Sequence, residues 1–187
     1  YLEEEEGFRV TYLPVDAKGK IKLEALREAL CPETILVSVM YVNNEVGTVQ
    51  PVQEAAQIVK AYKPSILFHT DAVQGYGKYR IWPKRMGIDL LTASGHKIHG
   101  PKGIGFLYID SKVKIRPVMF GGEQQQNIRS GTENVPGIAG IGLASKMIYQ
   151  DLEMKTALMR ELKSRFIEGI SGIENTTVHG FTDEGSA

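Results

Sequence analysis

Apolar and polar positions follow two different periods along this chain, and the period switches repeatedly. Phe8 to Val15 alternates apolar and polar side chains, which predicts a strand. Asp16-Ala17-Lys18-Gly19 is turn chemistry. Leu23, Leu26, Arg27 and Leu30 then recur at helical spacing until Cys31-Pro32 stops the helix. Thr34 to Val42 is a dense β-branched run and predicts a buried, parallel strand. Pro51 suits a first helical position, Val52 to Tyr62 follows as a helix, and Lys63-Pro64 ends it. Ser65 to Thr70, Ile88 to Ala93 and Gly103 to Ile109 predict three more strands. Gly137 to Tyr149 and Asp151 to Ile170 predict two helices or one long kinked one, and Thr176 to His179 is strand-like. Alternating strands and helices define an α/β fold with a mostly parallel sheet. Near Asp151 charged helical composition replaces glycine-rich loops. Residues 1–150 are therefore expected in one large domain, and residues 151–187 in a connecting helix and the start of a smaller one.

Composition narrows the function classes. Lys+Arg and Asp+Glu both total 22, so no net charge draws the chain to nucleic acid or an anionic membrane. No apolar run approaches the ~20 residues of a membrane span. Tyr1-Leu2-Glu3-Glu4-Glu5-Glu6 lacks the basic and apolar parts of a signal segment. A single cysteine, Cys31, excludes an internal disulfide and suits a reducing cytoplasm. The lack of an initiator Met and the ending at Gly185-Ser186-Ala187 lead to the expectation of a fragment of a longer protein.

The candidate chemistry sits where apolar runs end. Ser65-Ile66-Leu67-Phe68 leads into His69-Thr70-Asp71-Ala72-Val73-Gln74, and Ile88-Asp89-Leu90-Leu91-Thr92 leads into Ser94-Gly95-His96-Lys97. In an open α/β sheet the ends of neighbouring strands are where ligands bind. Taken alone, Lys97 reads as a surface lysine in a glycine loop and Asp71 as a turn aspartate. Taken together, a lysine amine and a carboxylate are the two anchors of a pyridoxal phosphate site: a Schiff-base nitrogen and a partner for the ring nitrogen.

Four motifs in order carry a family resemblance: Val42-Asn43-Asn44-Glu45-Val46-Gly47-Thr48-Val49-Gln50, Thr70-Asp71-Ala72-Val73-Gln74, Ser94-Gly95-His96-Lys97 and Arg129-Ser130-Gly131-Thr132. The chain resembles the cysteine desulfurase branch of the class V aminotransferases, which are fold-type I pyridoxal phosphate enzymes. The resemblance implies part of the large domain of such a transferase. It makes Lys97 the catalytic lysine that holds the cofactor, and Asp71 the partner of its ring nitrogen. Gln74 and Asn44 correspond to residues near the cofactor's phenolic oxygen, with Asn43 structural. Ser94 and His96 correspond to phosphate ligands. Thr132 corresponds to a phosphate contact made across the interface of a homodimer. It implies L-cysteine as substrate, a sulfur-acceptor protein in iron–sulfur cluster assembly or thiolation as partner, and a cytoplasmic location. A selenocysteine lyase or aminotransferase of the same class is the alternative, as is a non-catalytic assembly module of the same fold.

Competing motifs fail on single residues. Gly95 to Gly100 has Walker A spacing, but Pro101 stands where the lysine belongs. Gly103-Ile104-Gly105 lacks the third glycine of a dinucleotide loop, since position 108 is Tyr108. His96 and His99 have no carboxylate or thiol ligand nearby in sequence to complete a metal site. Cys31, before a proline at a helix end, does not match the family's persulfide cysteine. That cysteine and the ring-stacking histidine are expected outside residues 1–187, so this segment alone is expected to be inactive.

Overall fold

The computed structural model describes residues 1–183 and 185; residues 184, 186 and 187, at the end of the expected second domain, lie outside the described residues. Four strands form one sheet in the order β1 (Leu36–Met40), β2 (Leu67–Asp71), β3 (Leu90–Ser94), β4 (Gly105–Ile109). β1, β2 and β3 run parallel, and β4 returns antiparallel to β3. The helices are α1 (Leu23–Ala29), α2 (Val52–Tyr62), the four-residue α3 (Pro83–Met86), α4 (Val135–Gln150) and α5 (Leu152–Ile170). The expected mostly parallel α/β sheet is present.

One sheet face carries the core. Val39, Phe68, Leu91 and Ala93 pack with Leu26 of α1 and Val52, Ala55, Ala56 and Val59 of α2. Each buried valine or larger apolar side chain there contributes about 1.5–3 kcal/mol. Lys60 of α2 fastens the starts of the strands: its Nζ donates to Asp89 Oδ2 at 2.5 Å and to the Ile66 carbonyl at 2.6 Å. The same carboxylate oxygen accepts from the Phe68 N–H at 2.6 Å.

Three expectations are corrected. Phe8 to Val15 forms no strand in the sheet, because no neighbouring strand pairs with it; Tyr12 is exposed and Val15 makes only an isolated bridge to Ile21. Thr176 to His179 is likewise unpaired, and the chain beyond it is held by Phe181, whose ring faces Lys18 Nζ at 4.6 Å. β1 was expected to be a buried, parallel strand, and it is parallel. It is an edge strand in which Val39 is buried while Leu36 and Met40 are exposed. Helices cover the core face only, and the opposite face shows Leu36, Met40 and, on β4, Leu107 to solvent.

The long C-terminal helical run breaks at Asp151. α4 is capped by Asn134, whose Oδ1 accepts from the Gly137 N–H at 3.0 Å. Its first residues lie against the 95–101 turn: a Cβ on Gly140 would come within 2.6 Å of Pro101 Cγ.

Candidate active site

Because β1, β2 and β3 are parallel, Met40, Asp71 and Ser94 all end at one edge of the sheet. The segments that leave this edge carry Asn44, Gln74 and Lys97. This is the crevice at which open α/β sheets bind ligands.

Asp71 is fixed on both sides. Its carbonyl accepts from the Tyr41 N–H at 2.7 Å, and the next N–H, of Ala72, donates to the Thr92 carbonyl at 2.9 Å. Asp71 Oδ1 accepts from the Val73 N–H at 2.9 Å, which leaves the exposed carboxylate with its second oxygen directed to a ligand or solvent. The chain then turns tightly, with the Gly75 and Tyr76 N–H groups both on the Ala72 carbonyl. Gly75 is needed for close approach, since a Cβ there would meet Tyr41 Cδ1 at 2.8 Å. Gln74 is half-buried in this turn, and its carbonyl accepts from Lys78 Nζ at 2.9 Å.

The residues after β3 form a single 3₁₀ turn, Gly95–Ile98, rather than an irregular loop. Gly95 N–H donates to the Ile104 carbonyl and Gly100 N–H returns to the Gly95 carbonyl, each at 2.9 Å. Glycine is required at position 105, where a Cβ would come within 2.6 Å of the Ala93 carbonyl oxygen. Ile98 anchors the turn in the interior, while His96 and Lys97 project into solvent. Ser94 Oγ and His96 Nδ1 are 2.7 Å apart, so one hydroxyl and one imidazole already share a position.

Asn44 lies in the third segment, exposed, with its Nδ2 on Glu45 Oε1 at 2.6 Å. Asn43 builds the turn itself, its Oδ1 accepting from the Glu45 and Val46 N–H groups at 2.9 Å each. Thr132 lies in a fourth segment. It is exposed in the 119–134 loop, which closes on itself through Gly131 N–H to Gln124 Oε1 at 2.9 Å. Among the described residues Thr132 forms no hydrogen bond with Asp71, Ser94, His96 or Lys97.

Two further residues at this edge escape a sequence reading. Lys78 is half-buried beside Lys97; burial first, and the Lys97 charge second, hold its ammonium below the usual lysine range. The signal available was its spacing of four from Gln74. His69 lies two residues before Asp71 on the same strand face, with Nδ1 2.8 Å from Ser38 Oγ and Nε2 3.3 Å from Thr92 Oγ1. Burial holds its imidazole below the ordinary value, and the Asp71 charge acts in the opposite direction. Strand alternation placed both residues on one face, but their neighbours depend on the cross-strand register.

A parallel sheet edge bearing an acid, an exposed lysine and a hydroxyl–imidazole pair offers a set of donors and charges suited to a small anionic ligand. The chain belongs to the class V aminotransferase family, whose model matches residues 1–186. It is 47% identical over 177 residues to cysteine desulfurase IscS of Methanosarcina thermophila, covering 95% of this chain and 43% of that protein. It is 44% identical over 180 residues to the mitochondrial cysteine desulfurase of Saccharomyces cerevisiae, covering 95% and 36%. Among solved structures, a NifS-like protein superposes with a TM-score of 0.89 at 41% identity, covering 93% of this chain and 48% of that one. A structure of SspA in complex with cysteine superposes with a TM-score of 0.76 at 38% identity, covering 90% and 46%. The chain thus spans less than half the length of the relatives it matches.

Proposed function

We propose that the protein containing this chain is a pyridoxal phosphate-dependent cysteine desulfurase, converting L-cysteine to L-alanine and passing the sulfur to an enzyme thiol. The observation that carries this reading is the convergence of Asp71, the Ser94–His96 pair and Lys97 on one sheet edge, in a chain whose relatives are cysteine desulfurases. The donor set fits the cofactor. A carboxylate suits a protonated ring nitrogen, a hydroxyl and an imidazole suit phosphate oxygens, and a primary amine suits the aldehyde. When bound, pyridoxal phosphate supplies an electron sink for charge developing on the substrate's α-carbon.

The chain's own groups do the rest. Asp71, fixed by the Tyr41 and Val73 N–H groups, would supply the carboxylate partner for a protonated ring nitrogen. Ser94 and His96 would donate to the phosphate. Lys97 would hold the aldehyde through its Nζ, and as a free amine it would be the group that carries protons to and from the substrate carbon. Gln74 and Asn44 would be the residues near the phenolic oxygen. Cys31 is not the sulfur-accepting thiol: it precedes β1, at the opposite end of a strand that spans about 13 Å at ~3.3 Å per residue. The acceptor thiol and the ring-stacking histidine belong to parts of the protein outside residues 1–187.

Four further features belong to the same proposal. A homodimer is supported by the motif resemblance, in which Thr132, exposed on the 119–134 loop, would contact the phosphate held by the partner subunit. A division of the chain into a large domain and a smaller one is supported by the helix break at Asp151. A cytoplasmic location and a sulfur-acceptor protein in iron–sulfur cluster assembly or thiolation complete the reading. Among the described residues no helix is long and apolar enough to cross a membrane.

The experiment is to supply the full-length protein with pyridoxal phosphate, L-cysteine and a thiol reductant. Alanine and sulfide in equal amounts are expected. Release of pyruvate, or amino transfer to a keto acid without sulfide, would replace this reading with another activity of the family.

A further inference from the structure

Asp71 has a polar row behind it. Ser38, His69 and Thr92 come from three adjacent strands and meet on one sheet face. Ser38 stands opposite His69 in the β1–β2 register, and Thr92 stands opposite Asp71 in the β2–β3 register. His69 Nδ1 is 2.8 Å from Ser38 Oγ, and its Nε2 is 3.3 Å from Thr92 Oγ1. A hydroxyl both donates and accepts, so a neutral imidazole satisfies both contacts, one nitrogen donating and the other accepting. An imidazolium would donate from both nitrogens and add a charge about two residues of strand, roughly 6.6 Å, behind the carboxylate.

The surroundings decide what that charge would act on. From β1 the same face presents Ser38 and Met40, and from β3 it presents Leu90 and Thr92. None of these ionises. Among the described residues Asp71 is the charged group that acts on His69. Burial disfavours the imidazolium, and the Asp71 carboxylate partly offsets this. The two groups are therefore linked: a proton on His69 and a cation in front of Asp71 compete for one negative charge.

We propose that His69 is a positioning residue for Asp71: clamped as a neutral imidazole between Ser38 and Thr92, it leaves the carboxylate's charge to the cationic ring nitrogen in front, and on protonation it draws that charge back. The identity of the ring rests on the pyridoxal phosphate reading; the coupling of His69 to Asp71 does not. Linkage makes the effect reciprocal. A bound cation in front of Asp71 lowers the proton affinity of His69, and a proton on His69 lowers the affinity for the cation.

The test has two arms on the full-length protein. In the cofactor-free form, the His69 imidazole is titrated by NMR in wild type and in Asp71→Asn, whose amide oxygen still accepts from Val73. Removing the carboxylate is expected to lower the proton affinity of His69 at least threefold; an unmoved midpoint overturns the proposal. In the second arm, pyridoxal phosphate affinity is measured by fluorescence at pH 8 and pH 6 in wild type and His69→Gln. The wild type is expected to lose at least threefold more affinity on acidification than the variant; equal losses overturn the proposal. If His69→Gln does not fold, the first arm decides. If no form binds pyridoxal phosphate, the proposed function fails while the titration still settles the coupling.

Discussion

The backbone of Gly77 lies against Ile98, so close that a Cβ on the glycine would come within 2.8 Å of the isoleucine Cγ2. This contact joins the turn that follows Asp71 to the turn that presents Lys97. Ile148 of α4 closes on the same point at 3.1 Å, and Tyr149 Oη accepts from the Gly77 N–H and donates to the Tyr79 carbonyl, each at 3.1 Å. Gly77 also has φ +80°, a conformation that a side chain disfavours. Gly77→Ala combines strain with overpacking and is expected to destabilise the protein by about 1–3 kcal/mol. Urea unfolding checks this; an unchanged midpoint would show that the two turns are not held through this contact.

Asp71→Asn separates charge from shape. The amide keeps the Val73 hydrogen bond, so the fold and cofactor attachment are expected to persist. The lost negative charge no longer holds the ring nitrogen's proton. Turnover in the full-length protein is expected to fall about 10²–10³-fold, the range for loss of one preorganised electrostatic group. Near-wild-type turnover with cofactor bound would reduce Asp71 to a turn residue.

Lys78 gives a pH dependence with a definite sign. Its folded pKa lies below the unfolded value, because burial and the Lys97 charge disfavour the ammonium. Between the two values the unfolded chain binds more protons, so stability rises with pH across that window. Below the folded value both states are protonated and the full penalty remains. Lys78→Met is expected to remove the rise, making the variant relatively most favourable at neutral pH and less so as pH approaches the lysine value of 10.5. Chemical denaturation of both proteins from pH 7 to 10.5 measures the difference; parallel curves would contradict it.

Cys31→Ser tests the position of the sulfur chemistry. Arg9 Nη2 donates to Cys31 Sγ at 3.1 Å, and Thr34 Oγ1 lies 3.4 Å away, all at the far end of β1. Desulfurase turnover in the full-length protein is expected to stay within about twofold of wild type, since Cys31 lies about a strand's length from the Asp71 end of the sheet and a serine hydroxyl still accepts from Arg9. Loss of protein-bound persulfide with the fold intact would place Cys31 in the reaction.

The strands that position the site were legible because apolar runs end abruptly in polar residues at Asp71 and Ser94, and the glycines after Ser94 mark a close-backbone turn. Helix α2 was legible from end to end, because Pro51 and Lys63-Pro64 bracket it. Phe8 to Val15 misled because alternation describes a half-buried strand only if a partner strand exists. β1 misled because β-branched density does not say whether both faces are covered. The roles of His69 and Lys78 were hidden for another reason. His69 meets Ser38 and Thr92 only through the parallel register, and Lys78 meets Lys97 only because Gly77 lets two turns touch.

The most direct test is covalent capture of the cofactor. Full-length protein loaded with pyridoxal phosphate is reduced with borohydride, digested and mapped by mass spectrometry. The pyridoxyl group is expected on Lys97, the exposed lysine of the turn after β3. A pyridoxyl group on Lys78 or Lys102, or on no lysine, would contradict the assignment of this sheet edge as the active site.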